Sequence, residues 1–146
     1  MPRKKPKIEI KKLNKSAKEP TFGTGNPAGL DLYSDMDITI SGKSIKPIKT
    51  GIAIAIEEGY YGQIEERSGI SLNTPLSIKA GIIDSDYRGE IMIIMQNVSD
   101  FPHKIQRGDK IAQIIFHRHE KPKLMIVETF TNEETQRGEQ GFGSSG

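Results

Sequence analysis

Three short stretches bring together residue types that can bind phosphate and move a proton. Glu66-Arg67-Ser68-Gly69 combines a guanidinium, a hydroxyl and a glycine whose N–H can be approached closely, which suits an oxyanion-binding turn. Taken alone, it reads equally well as an ordinary turn. Residues 80–90, AGIIDSDYRGE, set Asp84, Asp86, Tyr87 and Arg88 between apolar flanks with a glycine near each end. That pattern predicts a tight hairpin whose backbone is open to recognition. The last ten residues, RGEQGFGSSG, hold four glycines around a single ring, Phe142, with Arg137, Ser144 and Ser145 available to anionic oxygens. So glycine-rich a segment does not stay folded alone and, by itself, reads as a disordered terminus.

Other apparent motifs fail on context. The terminal GFGSSG matches the G-x-G-x-x-G of dinucleotide sites, but no helix can follow it to hold a pyrophosphate. Ser41-Gly42-Lys43-Ser44 resembles the end of a P-loop, yet the required first glycine falls on Asp37. His117 and His119 share one face of a strand, but no third metal ligand lies nearby in sequence, so they read as exposed strand residues.

The elements that must position these residues are strands. Apolar residues alternate at Ile8 and Ile10, at Ile38 and Ile40, and at Ile52, Ile54 and Ile56, with Ala53 and Ala55 between the last three. The run from Ile91 to Met95 predicts a strand buried on both faces, and further strands are expected at Lys110–Phe116 and Leu124–Thr129. Turn signals separate them: SGK, EEGYYG, NTP, DSDYRG and QRGD. Short strands at this spacing point to an all-β sandwich or barrel. The 146 residues make one domain, with residues 1–7 as a basic arm, 8–131 as the β domain and 132–146 as a glycine-rich tail.

Composition narrows the function. There is no cysteine, which removes disulfides, thiol nucleophiles and cysteine-ligated zinc, and suits an intracellular, cytoplasmic or nuclear, protein. No apolar run is long enough to cross a membrane as a helix. Seven of the first fifteen residues are Lys or Arg, a solvated arm on a chain of net charge +2. Nothing in the domain extends this patch with interleaved aromatics, so nucleic-acid binding is not expected.

Taken in order, these stretches resemble the five motifs of the trimeric dUTPase family: AGLDLYS at 28–34, ERSG at 66–69, AGIIDSDYRGE at 80–90, RGDKIAQI at 107–114 and RGEQGFGSSG at the end. The resemblance implies a distorted jelly-roll or β-sandwich subunit (a dUTPase-like β-clip) in a homotrimer whose sites are shared between subunits. It implies hydrolysis of dUTP to dUMP and pyrophosphate, a reaction that keeps uracil out of DNA and supplies dUMP for dTMP synthesis. By the same resemblance, Asp84 activates the attacking water and Tyr87 packs under the deoxyribose. The backbone around Ile78–Ile83, including Gly81 and Ile83, reads uracil. Arg67, Ser68, Gly69, Gln113, Arg137, Ser144 and Ser145 hold the triphosphate, while Phe142 and Gly143 belong to a lid and Asp31 supports the site. Mg²⁺ is expected on the triphosphate oxygens and water rather than in a protein cage.

Three departures from the family pattern are visible, one of them Ser145 where Thr is common, which keeps the hydroxyl. Glu66 stands where the second motif often has Pro, and Glu139 adds a negative charge to the tail. Two rivals stand beside this reading. A dCTP deaminase shares the fold, but the intact IIDSDYRG and GFGS favour uracil. A non-catalytic regulatory member would be free to lose Asp84, Tyr87 or the lid, and this chain has all three.

Overall fold

The computed structural model describes residues 1–143. Eleven strands and one short helix follow in the order β1 (Ile8–Lys12), β2 (Thr21–Phe22), β3 (Leu30–Tyr33), β4 (Ile38–Ile40), β5 (Ile45–Ile56), β6 (Tyr60–Glu65), α1 (Ser68–Asn73), β7 (Leu76–Lys79), β8 (Ile82–Ile83), β9 (Glu90–Asn97), β10 (His103–Ile105) and β11 (Lys110–Arg118). They form a four-stranded sheet, β1-β5-β9-β7, a five-stranded sheet, β2-β3-β11-β6-β8, and a small β10-β4 pair. The result is a jelly-roll-like β sandwich. No helix among the described residues is long and apolar enough to cross a membrane.

Aliphatic side chains from both large sheets meet in one core. Leu32, Ile48, Ile54, Ile91, Ile93, Ile111 and Ile114 are all buried there. β-branched residues suit this pleated, close-packed setting. Burial of each such side chain contributes about 1.5–3 kcal/mol. β5 is long enough to serve two neighbours. Its first part pairs with β9, its last part pairs with β1, and the register shifts between Lys49 and Ala53. Gly51, with φ +69°, lies at that shift, where its N–H donates to Glu90 Oε2 at 2.9 Å.

Two strand expectations need correction. β9 is buried on one face only: Ile91, Ile93 and Met95 point inward, whereas Met92 and Ile94 are 39% and 36% exposed. Its apolar run serves two purposes, core on one side and cleft floor on the other. The strand expected at Leu124–Thr129 does not form, and Leu124 and Ile126 are 83% and 104% exposed. Within one chain these residues have no ladder to join, so their β propensity goes unused.

At the ends, residues 1–7 have no regular structure. Glu57 nonetheless holds this segment, accepting from Lys4 Nζ at 2.8 Å and from the Lys7 N–H at 2.7 Å. Lys4 hydrogen bonding to Glu57, then the Lys7 N–H, draws the Glu57 carboxyl below its usual range.

Candidate active site

The first cleft forms where β3, β11 and the turn into α1 converge, with a volume of about 580 Å³. Asp31 on β3 is only 8% exposed and sits between two cations. Arg67 Nε lies 3.1 Å from Asp31 Oδ1, and Lys110 Nζ lies 3.6 Å from Oδ2. A nearly buried carboxylate needs such partners, and here it holds both cations at the cleft wall. Arg67 precedes the first turn of α1 with extended dihedrals, φ −93° and ψ 140°. Ser68 and Gly69 then open the helix, where backbone N–H groups have no intrahelical acceptor. A β-carbon at Gly69 would meet nothing within 4 Å, so the start of the helix is uncrowded on that side.

Gln113 on β11 completes this wall, its Nε2 donating to the Glu66 carbonyl at 2.9 Å. Gly29 leaves room for that side chain, because a β-carbon there would lie 2.8 Å from Gln113 Cδ. Neither Gly29 nor Lys110 was singled out from the sequence. Lys110 and Gln113 are three apart, which on a regular strand means opposite faces. The register shift between Lys110 and Ala112 breaks the alternation, and both line one cleft.

The second cleft, of about 280 Å³, lies over the outer face of β9. The sequence predicted a tight hairpin at residues 80–90. The flanking strands do close an antiparallel pair, from Leu76 opposite Asn97 to Lys79 opposite Ile94, but the connection between them is a long excursion to the other sheet rather than a tight turn. β7 pairs with β9 in the four-stranded sheet, whereas β8 pairs with β6 in the other, Gly62 facing Ile83 and Gln63 facing Ile82. Residues 80–89 therefore cross between sheets. Ala80 and Gly81 make the crossing with φ values of +59° and +135°. At Gly81 the value lies where side chains rarely fit, and a β-carbon would come within 2.9 Å of the Ile64 carbonyl oxygen.

Because β8 is two residues long, Ala80 and Asp84 stay out of the ladder, and the Gly81 carbonyl accepts from the Ile64 N–H at 2.7 Å. Asp84 is exposed and opens a turn closed by the Tyr87 N–H donating to its carbonyl at 3.1 Å. Tyr87 then folds back, its hydroxyl donating to the Glu90 carbonyl at 2.8 Å. The ring stands as one wall of the cleft, with Met92 and Ile94 below it.

Of the residues singled out from the sequence, Asp31, Arg67, Ser68 and Gln113 line the first cleft, and Gly81, Ile83, Asp84 and Tyr87 line the second. None of the described residues lines both. Arg137 and Phe142 line neither; Arg137 Nε donates to the Gln140 carbonyl at 2.7 Å, and Phe142 is fully exposed. Gly143 follows with φ +85°. Ser144 and Ser145 lie outside the described residues. His117 and His119 are half-buried rather than exposed, and both flank Tyr61, at ring distances of 5.3 and 5.8 Å.

Comparison with known proteins agrees with this arrangement. The dUTPase family model matches residues 15–146. The deoxyuridine 5′-triphosphate nucleotidohydrolase of Yaba monkey tumor virus is 44% identical over 139 residues, covering 95% of this chain and 96% of the relative. That of Wolbachia pipientis is 42% identical over 152 residues, covering 100% and 99%. Among solved structures, the Staphylococcus bacteriophage 80alpha dUTPase with dUPNHPP superposes with a TM-score of 0.91 at 31% identity, covering 96% of this chain and 98% of that one. A dUTPase mutant from phage phi11 of S. aureus, described as coordinating a structural Mg(II) ion, gives 0.80 at 28% identity, covering 85% and 98%. With motifs, fold and full-length relatives in agreement, this chain belongs to the dUTPase family.

Proposed function

We propose that the protein hydrolyses dUTP to dUMP and pyrophosphate, with the second cleft taking the nucleoside and the first taking the phosphates. The observation that carries this reading is the second cleft itself, which sets the backbone of a two-residue strand and its ends, one aromatic wall and one exposed carboxylate within a single crossing segment. The backbone N–H and C=O groups from Ala80 to Ile83 that β6 does not engage offer the donors and acceptors that a pairing base would. Cytosine would leave them mismatched, and unpaired buried polar groups discriminate strongly. Tyr87 lies flat under the deoxyribose and leaves no space for a 2′-hydroxyl.

In the chemical step, Asp84 accepts a proton from water as the water oxygen attacks the α-phosphorus. The bond to the bridging oxygen breaks, and pyrophosphate leaves. A carboxylate is a weak base, so the rate depends on positioning and on neutralising the phosphates as much as on proton affinity. Arg67, Ser68, the Gly69 amide and Gln113 grip the phosphates, and Asp31 keeps Arg67 and Lys110 in place. No group of three or more His, Asp or Glu suited to a metal exists among the described residues. Mg²⁺ carried by triphosphate oxygens and water fits that donor set, since this ion gives up its waters reluctantly. When bound, it would neutralise phosphate charge.

The separation of the two clefts supports a homotrimer in which one copy supplies the nucleoside cleft and another the phosphate cleft. The exposed Leu124–Val127 stretch supports the same reading, because a neighbouring copy could cover it. Residues 132–146 act as a lid, with Phe142 over the base and Arg137, Gly143, Ser144 and Ser145 around the phosphates, excluding water when nucleotide is present. The setting is intracellular. The test is pyrophosphate release with Mg²⁺, comparing dUTP with dCTP, dTTP and UTP. Release from dUTP alone is expected; ammonia from dCTP without pyrophosphate would move the protein to the deaminases.

A further inference from the structure

Glu66 occupies an unusual position. It directly precedes the Arg67–Gly69 turn, yet its side chain points away from the phosphate cleft and binds two other elements. Its Oε2 accepts from Ser71 Oγ at 2.7 Å, and its Oε1 accepts from the Ile78 N–H at 2.8 Å. Its backbone carbonyl accepts from Gln113 Nε2. One residue thus ties together α1, β7 and β11.

The elements it joins are not equally secure. β7 has a full antiparallel ladder on β9, from Leu76 opposite Asn97 to Lys79 opposite Ile94. α1 has six residues, none of them buried, and Arg67 makes no side-chain cap to it. Leu72 is 84% exposed, and only Ile70 among its apolar residues is half-buried against the core. A single turn and a half does not persist in water on its own propensity. Beside the Ile70 contact, its hydrogen-bonded link to the fixed strand is the pair of bonds through Glu66, which joins Ser71 to Ile78. The carboxyl is drawn below its usual range by the Ser71 hydroxyl first and the Ile78 N–H second, against a smaller opposing effect of burial, so it is ionised when it makes both bonds.

We propose that Glu66 is a positioning residue for triphosphate binding, bracketing the Arg67–Gly69 turn to β7 through Ser71 and Ile78. This rests on the reading of that turn as the phosphate site. Loss of the bracket releases the turn and leaves the β7 ladder intact, so the triphosphate loses contacts that a monophosphate, seated chiefly in the nucleoside cleft, does not need.

The experiment uses the full chain with Glu66→Ala, Glu66→Gln, Ser71→Ala and Ser68→Ala. Binding of the non-hydrolysable α,β-imido analogue of dUTP is compared with binding of dUMP, alongside kcat and KM for dUTP. Glu66→Ala is expected to weaken the analogue and raise KM about tenfold, the scale of lost hydrogen bonds to a charged group, with dUMP binding changed less than about twofold. Glu66→Gln keeps one acceptor for Ile78 and offers a donor to Ser71, so it should recover analogue binding to within about threefold. Ser71→Ala cuts half the bracket and should fall between, which preserves the test if Glu66→Ala does not fold. Equal weakening of analogue and dUMP, or wild-type KM in both Glu66→Ala and Ser71→Ala, overturns the role. If Ser68→Ala also leaves KM unchanged, the phosphate-site reading has failed and takes this role with it; if Ser68→Ala raises KM while Glu66→Ala does not, only Glu66 has been misjudged.

Discussion

Gly29 leaves the space that Gln113 fills. A β-carbon at position 29 would stand 2.8 Å from Gln113 Cδ and 2.9 Å from its Cβ. Gln113 also spans from β11 to the Glu66 carbonyl, so its displacement reaches the phosphate turn. Gly29→Ala should therefore raise KM for dUTP about tenfold, the scale of one lost hydrogen bond to an anionic ligand. The accompanying loss of stability should be about 1–3 kcal/mol, because overcrowding forces the side chain to move. Steady-state kinetics and urea unfolding check both parts.

Asp84→Asn keeps the size of the side chain and removes the proton acceptor. Asp84 is exposed and makes no ion pair among the described residues, so the fold should be unaffected. Turnover should fall about 10³-fold, within the range for a lost general base, while the imido analogue binds within a few-fold of wild type. Near wild-type turnover would show that another group takes the proton.

Asp31→Ala leaves Arg67 and Lys110 facing each other without the carboxylate between them. Breaking a buried pair outright costs about 3–5 kcal/mol. Lys110 is 44% exposed, which lowers the expected loss to about 1–3 kcal/mol. Thermal unfolding monitored by circular dichroism measures it, and raised salt should recover part of the loss by screening the two cations.

The Glu66 carboxyl titrates below its usual value in the folded chain, through Ser71 first and the Ile78 N–H second. A depressed carboxyl stabilises the fold at pH values above the unfolded value of about 4.5 and ceases to do so as pH falls through the folded value. Relative to Glu66→Gln, the wild type should hold a constant advantage near neutral pH and lose it progressively below about pH 4.5. Urea midpoints of the two proteins across pH 3–7 would reveal it. Parallel curves throughout that window would mean that the bonds do not depend on ionisation.

Removal of residues 137–146 should leave a folded protein with severely reduced activity. Among the described residues, Arg137 bonds only to Gln140, and Phe142 is fully exposed and outside the core. The unfolding temperature should move by less than about 2 °C, a fraction of the shift that 1 kcal/mol produces in a domain of this size, whereas dUTP turnover should drop about 100-fold if the tail closes over bound nucleotide. Full activity in the truncation would end the lid assignment.

The sequence by itself determined the class of structure and the residue types of the site. Alternation at Ile52, Ile54 and Ile56 marks a strand because side chains on an extended chain point to opposite sides at a period of two. Asp84, Tyr87, Arg67 and Ser68 were legible because their chemistry conflicts with a buried strand. Relations set by tertiary packing were not legible. The bulge that turns Lys110 and Gln113 to one face depends on how β11 pairs with β3, and no local pattern shows it. The apolar runs on either side of residues 80–89 do pair, β7 with β9, but nothing local shows that the connection detours through Ala80 and Gly81 to place β8 on β6 in the other sheet. The apolar stretch at Leu124 has strand chemistry but no ladder within its own chain. Periodicity reports which face a residue prefers. Only the pairing of distant strands decides which residues share a cleft, and here that pairing keeps Asp84 and Ser68 in separate ones.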